Sequence, residues 1–441
     1  AYTSLHCSIN VCGHGPTRSY RRHLLIHRTD SYQVHLTQSF ACLFYSSDAA
    51  DYTPSLVFVC LFFLSALPFF LLFFTLFLLF VFIINTLFSY FSYKELKNEY
   101  IFETKAEVLN IYPKEKFDVI KLKSEGFEFF ASFSKDDNIK KLDFLNVVFD
   151  TRNITFYTYL KGFFTNILYF ERVEKQSNLK EKIVKNIEKN HDDFIIKELF
   201  NALFLAIPVS SELRDIITAY GIAHVVALSG FHLVVLSFVI YWILYFPYSF
   251  FQNRYFPYRN RRFDILLITM GILFYYLLLT DIVPSLLRAF VLFCLGLYLL
   301  RSNIKIISYI TLFYTFLIVV ALFPQYIFNI GFWFSIFAVF YIYLFIQYFK
   351  DGNKILLYIF FNIWMFLIFN PIVHYFFAQT AIEQFYSIPI TIFFTIFYPL
   401  EIVAHSFYIS SYFDDYLKIF LENKINVYEV YTPLYFFILY I

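Results

Sequence analysis

The sequence predicts a polytopic α-helical membrane protein with a small β-rich domain inserted after its first spans, and three observations carry that prediction. Of 441 residues, 59% are hydrophobic and 24% aromatic, with 64 Phe and 38 Tyr, while only 15% are charged; a soluble chain carries about 25% charge. Charge-free apolar runs of about 20 residues, long enough to cross roughly 30 Å of hydrocarbon, recur along the chain. The charges are instead gathered in one place: residues 94–198 hold 19 Lys+Arg and 19 Asp+Glu, 38 of the 68 in the chain. This makeup excludes a wholly soluble, a disordered, a collagen-like and a disulfide-framework protein. A net charge of +2 names no anionic partner. The excess of Phe, Tyr, Ile, Lys and Asn also matches A/T-rich codon usage, so part of the Phe content is background rather than function.

Residues 1–55 form an atypical leader. The first 50 hold Cys7, Cys12 and Cys42 of the five Cys, His6, His14, His23, His27 and His35 of the ten His, and two of the 64 Phe. A zinc knuckle from Cys7, Cys12 and two of these His fits no compact ligand spacing. The expectation is therefore an unstructured leader or a misassigned start, with no metal. Residues 56–93 are apolar for 38 residues without a charge, nearly twice one span, so two spans forming a hairpin near Pro68 are expected. Over 94–178 the period changes to two. Ile120 and Leu122 alternate with Lys121 and Lys123, and Phe127, Phe129, Ala131 and Phe133 share a face. With Tyr100–Leu109 and Leu145–Leu160 (VVFD, ITFYTYL) this makes four or five strands, a count that suits a small barrel or sandwich. Residues 179–213 return to helical spacing through Ile183, Ile187, Phe194, Ile195 and Phe200, as an amphipathic connector.

The remainder, 214–441, reads as the multi-span domain, with spans near 216–246, 263–282, 285–300, 304–323, 327–349, 355–378 and 386–410 and a last apolar stretch at 431–441. Arg254, Arg259, Arg261 and Arg262 share one linker, Arg301 and Lys305 the next but one, and Lys350 and Lys354 the next of that set. The alternate linkers near Asp281–Pro284, Pro324–Gln325 and Ala381–Gln384 lack Lys and Arg. The positive-inside rule puts the basic set in the cytoplasm and the polar domain across the membrane, in the periplasm of a bacterial cell. The same count sends the basic leader outward if 56–93 is a hairpin.

The chemistry concentrates in Arg214–His232, RDIITAYGIAHVVALSGFH, where an Arg–Asp pair, two Gly, a Ser and two His meet the edge of a span. Polar groups at that depth cost several kcal/mol unless they pair or line a cavity. On a continuous helix His224, Leu228 and His232 would keep both imidazoles near one face, while Ser229–Gly230 supplies a break that frees backbone N–H groups for an anion. The competing reading is that the His residues bond neighbouring helices and the small residues allow close packing.

GIAHVVALSGFHL resembles the signature of the ComEC competence family of inner-membrane DNA-uptake channels, approximately G-x-x-H-x-x-A-x-S-G-x-H, through Gly221, His224, Ala227, Ser229, Gly230 and His232. PSLLRAF, with Pro284, Ser285, Arg288 and Ala289, is similar to the family's small-residue–Arg–Ala helix. FPQYIFNIGFWFSIFAV is similar to its third segment through Pro324, Gly331, Phe332 and Ser335, departing at Phe323, Asn329 and Trp333. The resemblance implies that the polar domain is OB-like and periplasmic, and that the chain passes single-stranded DNA into the cytoplasm during natural transformation. It further implies a periplasmic DNA receptor, and is compatible with a homo-oligomer. No HxHxDH cluster of the family's metallo-β-lactamase-like domain occurs in these residues, so a form lacking that domain is expected, with no enzymatic activity and no cofactor. No G-x-x-x-x-G-K-[ST] loop occurs either, which assigns energy to a cytoplasmic motor or DNA-binding partner.

A strand of DNA needs a polar route that does not hold phosphates too firmly. His224, Ser229, Gly230, His232 and Arg288 are the candidate path residues, against the alternative of an Arg288 that snorkels or pairs helices. Two other functions compete. An intramembrane serine hydrolase would use Ser229 with His232, three residues on, or His224, although no oxyanion motif is evident. A small-solute transporter would show internal repeats, and none is seen.

Overall fold

The computed structural model describes residues 53–441 apart from 125, 138, 174–178, 302–307, 350–351, 424 and 441, with backbone alone at 53–70, 300 and 301. The leader with its Cys and His candidates lies outside the described residues, as do Lys305 and Lys350. Helix α1 (Thr53–Asn98) replaces the expected hairpin, since helical backbone continues through Pro68. The sequence SALPFF supplies no Gly, Asn or Asp for a tight turn. Continuing the helix forfeits little more than one hydrogen bond, whereas an apolar turn would strand several backbone groups in lipid.

The β domain is a curled sheet. Strands β1 (Ile101–Pro113), β2 (Asp118–Lys123) and β3 (Glu128–Phe133) form an antiparallel meander, and β4 (Phe144–Asp150) returns to pair with the other edge of β1. Helix α2 (Phe156–Lys161) follows, where the sequence reading had a strand in ITFYTYL; Thr155 and Thr158 form a capping box that starts a helical turn there. Strands β5 (Phe163–Thr165) and β6 (Ile167–Val173) are separated by Asn166 alone. The first runs parallel to β3 and the second antiparallel to β4, so one interrupted strand joins both edges of the sheet. Alternation puts Ile120, Leu122, Phe129, Ala131 and Phe133 inside, where Phe129 stacks on Phe163 at 5.6 Å.

The connector is two helices, α3 (Leu179–Glu188) and α4 (Phe194–Leu205), rather than one. Asp193 caps α4 by accepting the Ile195 N–H at 2.8 Å, which ends the continuous helical pattern. Glu198 of α4 is 9% exposed and binds Lys141 at 2.6 Å and the Ser210 N–H at 2.8 Å, tying the β domain to the connector.

After α5 (Ser211–Ala219) and the single turn α6 (Ala223–Val226) comes α7 (Gly230–Tyr255), so the first later span starts at Gly230 instead of 216 and ends at Tyr255 instead of 246. The others are α8 (Arg261–Leu279), α9 (Pro284–Arg301), α10 (Tyr309–Leu322), α11 (Ile330–Tyr348), α12 (Lys354–Phe376) and α13 (Ser387–Ser406). Short β7 (Gln379–Thr380) pairs with β8 (Tyr428–Glu429), between which lie α13 and α14 (Asp414–Leu421); α15 (Leu434–Tyr440) comes last. Among the described residues six helices are long and apolar enough to span a membrane, while Pro284–Leu299 and Tyr309–Leu322 are apolar but shorter. Along α7, Phe238, Trp242, Phe246 and Phe250 are each at least 60% exposed, an arrangement stable only with lipid as the solvent. The chain is thus a multi-pass membrane protein with one β domain.

Two of the linkers without Lys or Arg sit beside the polar part. Asp281 binds Lys123 at the end of β2, at 3.5 Å, and Lys180 of α3. Phe328, in the 3-10 turn Pro324–Phe328, meets Tyr157 of α2 edge-on at 5.3 Å.

Candidate functional site

The segment singled out in the sequence is a helix break. α5 ends at Ala219, and Gly221 just beyond it has a φ of +67 that favours glycine; a Cβ there would stand 3.3 Å from the Gln384 side chain. α6 makes one turn, Ala227 is extended, and Ser229 caps α7 in extended conformation. The rotation that would align His224 with His232 on one helix therefore does not apply. His224 is exposed; its Nδ1 lies 3.0 Å from the Gly221 carbonyl and its Nε2 3.2 Å from the Thr391 hydroxyl on α13. His232 is 1% exposed. Both imidazoles nevertheless reach α13, His224 at Thr391 and His232 at Phe394 and Tyr398, so what brings them toward a common neighbour is that helix rather than a shared helical turn.

His232 acts on its own helix start. The Ser229 N–H donates to His232 Nδ1 at 3.1 Å, and Ser229 Oγ lies 3.1 Å from the same nitrogen. Accepting a backbone N–H puts the ring proton on Nε2. That nitrogen is buried without a hydrogen-bond partner among the described residues, and the ring meets Tyr398 of α13 edge-on at 4.6 Å. The Ser–His contact is thus made, yet no carboxylate orients the imidazole among the described residues, so a hydrolytic triad lacks its third member.

Two other helices close on the break. The Ser285 hydroxyl of α9 donates to the Leu228 carbonyl at 2.6 Å, occupying an acceptor that the break leaves free. One turn on, Arg288 is 5% exposed and its Nε donates to Ser335 Oγ of α11 at 2.6 Å. A Cβ on Gly230 would stand 3.0 Å from Arg288 Nη2 and 3.2 Å from the Ala289 Cβ, so α7 meets α9 where only glycine fits without displacement. Leu228, Leu233, Leu286, Leu287 and Phe332 pack around this junction. The structure therefore joins Ser229, Gly230, Ser285, Arg288 and Ser335 and places His224 apart from them.

The third segment sets the start of α11. Pro324 opens the 3-10 turn, and Asn329 Oδ1 accepts the Phe332 N–H at 3.0 Å. A Cβ on Gly331 would stand 3.2 Å from that oxygen, so the glycine makes room for the cap. Phe332 is fully buried and stacks on Phe316 at 5.8 Å; Trp333 donates to the Ile327 carbonyl at 2.8 Å. The departures Asn329 and Trp333 thus have capping and bonding roles.

Sequence reading missed Thr391 and Tyr398 of α13, which no motif marks. It also missed Glu401 and His405 on the same helix, for which a carboxylate inside an apolar span was the available signal. Among the described residues no group of three or more His, Cys, Asp or Glu is placed to hold a metal.

Residues 208–413 match a family model described as Competence protein. Comparison with curated proteins gives no match, and comparison with solved structures gives none. The matched range begins before α5, ends beside α14 and contains the helix break with both helices that close on it. Over these residues the chain is similar to the competence protein family.

Proposed function

We propose that this protein is an inner-membrane channel that passes single-stranded DNA into the cytoplasm during natural transformation. The observation that carries the reading is the family match over the region holding the break at Ser229–Gly230, since that family supports a role in DNA uptake in competence. The polar set His224, Ser229, His232 and Arg288 offers hydrogen bonds with little fixed charge, as a route for a polyanion requires. On the β domain, taken as OB-like and periplasmic, Lys114, Glu115, Lys116, exposed Phe117 and exposed Phe164 border one hollow, which sets stacking faces beside two lysines and one carboxylate. A periplasmic DNA receptor, a cytoplasmic motor and a second copy of the chain are the proposed partners.

Deletion of the protein in a transformable host is expected to leave labelled DNA entering the periplasm and to stop its entry into the cytoplasm. Failure of periplasmic uptake as well would replace the channel by a receptor role. Orientation is checked with single cysteines in a chain whose native Cys are Ser. Lys116→Cys should react with an impermeant thiol reagent from the periplasmic side, and Asn260→Cys only after lysis; reaction of both from one side would overturn the arrangement.

A further inference from the structure

One cluster of buried titratable groups has no part in the DNA route. Asp414, at the start of α14, lies 2.8 and 3.0 Å through its two oxygens from His191 Nδ1. His191 Nε2 is 3.0 Å from His405 Nε2, and His405 Nδ1 is 2.8 Å from the Glu401 carbonyl and 3.3 Å from Glu401 Oε2. His191 is 2% exposed, His405 9% and Glu401 not at all; the Asp414 side chain, at 16%, is the most open member. Phe200 stacks on His191 at 4.5 Å and Phe204 meets His405 edge-on at 4.8 Å, sealing the rings from the sides. Neither carboxyl oxygen of Glu401 has a hydrogen-bond partner among the described residues.

The geometry sets a proton count. Each of the three contacts, Asp414 to His191, His191 to His405 and His405 to the Glu401 carbonyl, needs one hydrogen between its atoms. Two neutral imidazoles bring two, so the third belongs to Asp414 or makes the pair cationic. With the proton on Asp414 every bond runs in one direction: the acid donates to His191 Nδ1, His191 Nε2–H to His405 Nε2, and His405 Nδ1–H to the carbonyl. With Asp414 ionised and the rings neutral, His191 turns its N–H to the acid, and a lone pair of His405 meets the carbonyl at 2.8 Å. Asp192 before α4, Asp193 at its cap and Asp415 of α14 surround Asp414, and Lys197 of α4 acts on His191. Lys418 of α14 pairs with Asp193 at 3.5 Å. Burial, with Asp192 next, raises Asp414 to about 6. Burial, then His405, lowers His191 to about 4. Both favour the one-directional, uncharged chain.

We propose that Asp414, His191 and His405 form a proton relay that connects solvent to Glu401, making Glu401 a proton-binding site inside the membrane domain. Asp414 gives its proton to His191 Nδ1, the Nε2 proton of His191 passes to His405 Nε2, and the Nδ1 proton of His405, turned from the Glu401 carbonyl toward Oε2 at 3.3 Å, passes to that carboxylate. Asp414 then takes a proton from water, so one proton enters and one reaches Glu401, with no redox partner. This role is independent of the DNA route.

The test is infrared difference spectroscopy of the full-length protein in lipid nanodiscs, following the protonated-carboxyl band between pH 8 and pH 5 and its rate of shift on transfer to D2O. The Glu401 component of the band is expected to be lost in Glu401→Gln, while that of Asp414, raised to about 6, remains. In Asp414→Asn, which keeps a polar group against His191 but carries no proton, the Glu401 component should persist and exchange about tenfold or more slowly. His405→Gln should behave as Asp414→Asn; if it does not accumulate, Asp414→Asn alone decides. A band unchanged by Glu401→Gln, no band in the native protein, or exchange in Asp414→Asn at the native rate would each overturn the relay. So would stoichiometric zinc in the purified protein that is lost on His191→Asn, which would make the two imidazoles metal ligands.

Discussion

Gly230→Leu is expected to lose both transformation and protein in the membrane fraction, the two falling together. A Cβ at this position already stands 3.2 Å from the Ala289 Cβ, which belongs to the next helix and cannot swing aside, and 3.0 Å from Arg288 Nη2, which can. A leucine adds three further carbons to a junction walled by Leu228, Leu233, Leu286 and Leu287. Overpacking of this kind costs about 1–3 kcal/mol, enough to lower abundance several-fold. The motif taken alone suggests a blocked path at normal abundance; the contacts assign the loss to helix packing instead. Arg288→Ala separates the two explanations, because it leaves the backbone junction intact and removes the guanidinium from Ser335. Transformation normalised to membrane abundance should fall for Arg288→Ala if the guanidinium faces the DNA path. A normalised value that stays at the native level would leave Arg288 as a tie between α9 and α11. Gly230→Leu at native abundance would refute the packing account.

Asp414→Asn should make the protein less stable as pH falls from about 6.5 to 4, whereas over that window the native protein owes little pH dependence to this pair. Asp414 is raised from 3.8 to about 6, so its contribution is fully present below 3.8 and is lost as pH rises through about 6. His191 is lowered from 6.5 to about 4, so its contribution is fully present above 6.5 and is lost as pH falls through about 4. The two slopes oppose each other across nearly the same range. Removing Asp414 leaves that of His191 alone, whose shift arises first from burial and then from His405. The variant should lose up to about 3 kcal/mol between the two ends. Thermal melts in one detergent at pH 4.5 and 6.5 measure it, with His191→Asn expected to show the opposite slope. Parallel melting curves for the native protein and both variants would remove the coupling.

Periodicity and charge by themselves determined the membrane class, the inserted β domain and the position of the helix break. These are local properties: alternation over Ile120–Lys123, charge-free runs, and a Ser–Gly pair that interrupts a helix can all be read within a dozen residues. Local reading erred where a neighbouring interaction competed. Pro68 looked like a turn, but unbonded backbone in lipid costs more than one missing hydrogen bond. ITFYTYL looked like a strand until Thr155 capped a helix, and the single connector helix was broken by the Asp193 cap. Only tertiary structure decided which side chains meet. Arg288 reaches Ser335 across 47 positions, and His191 meets His405 across 214 and Asp414 across 223. No periodic pattern encodes such pairings, because they arise from how whole helices pack to bury polar groups that the bilayer cannot solvate.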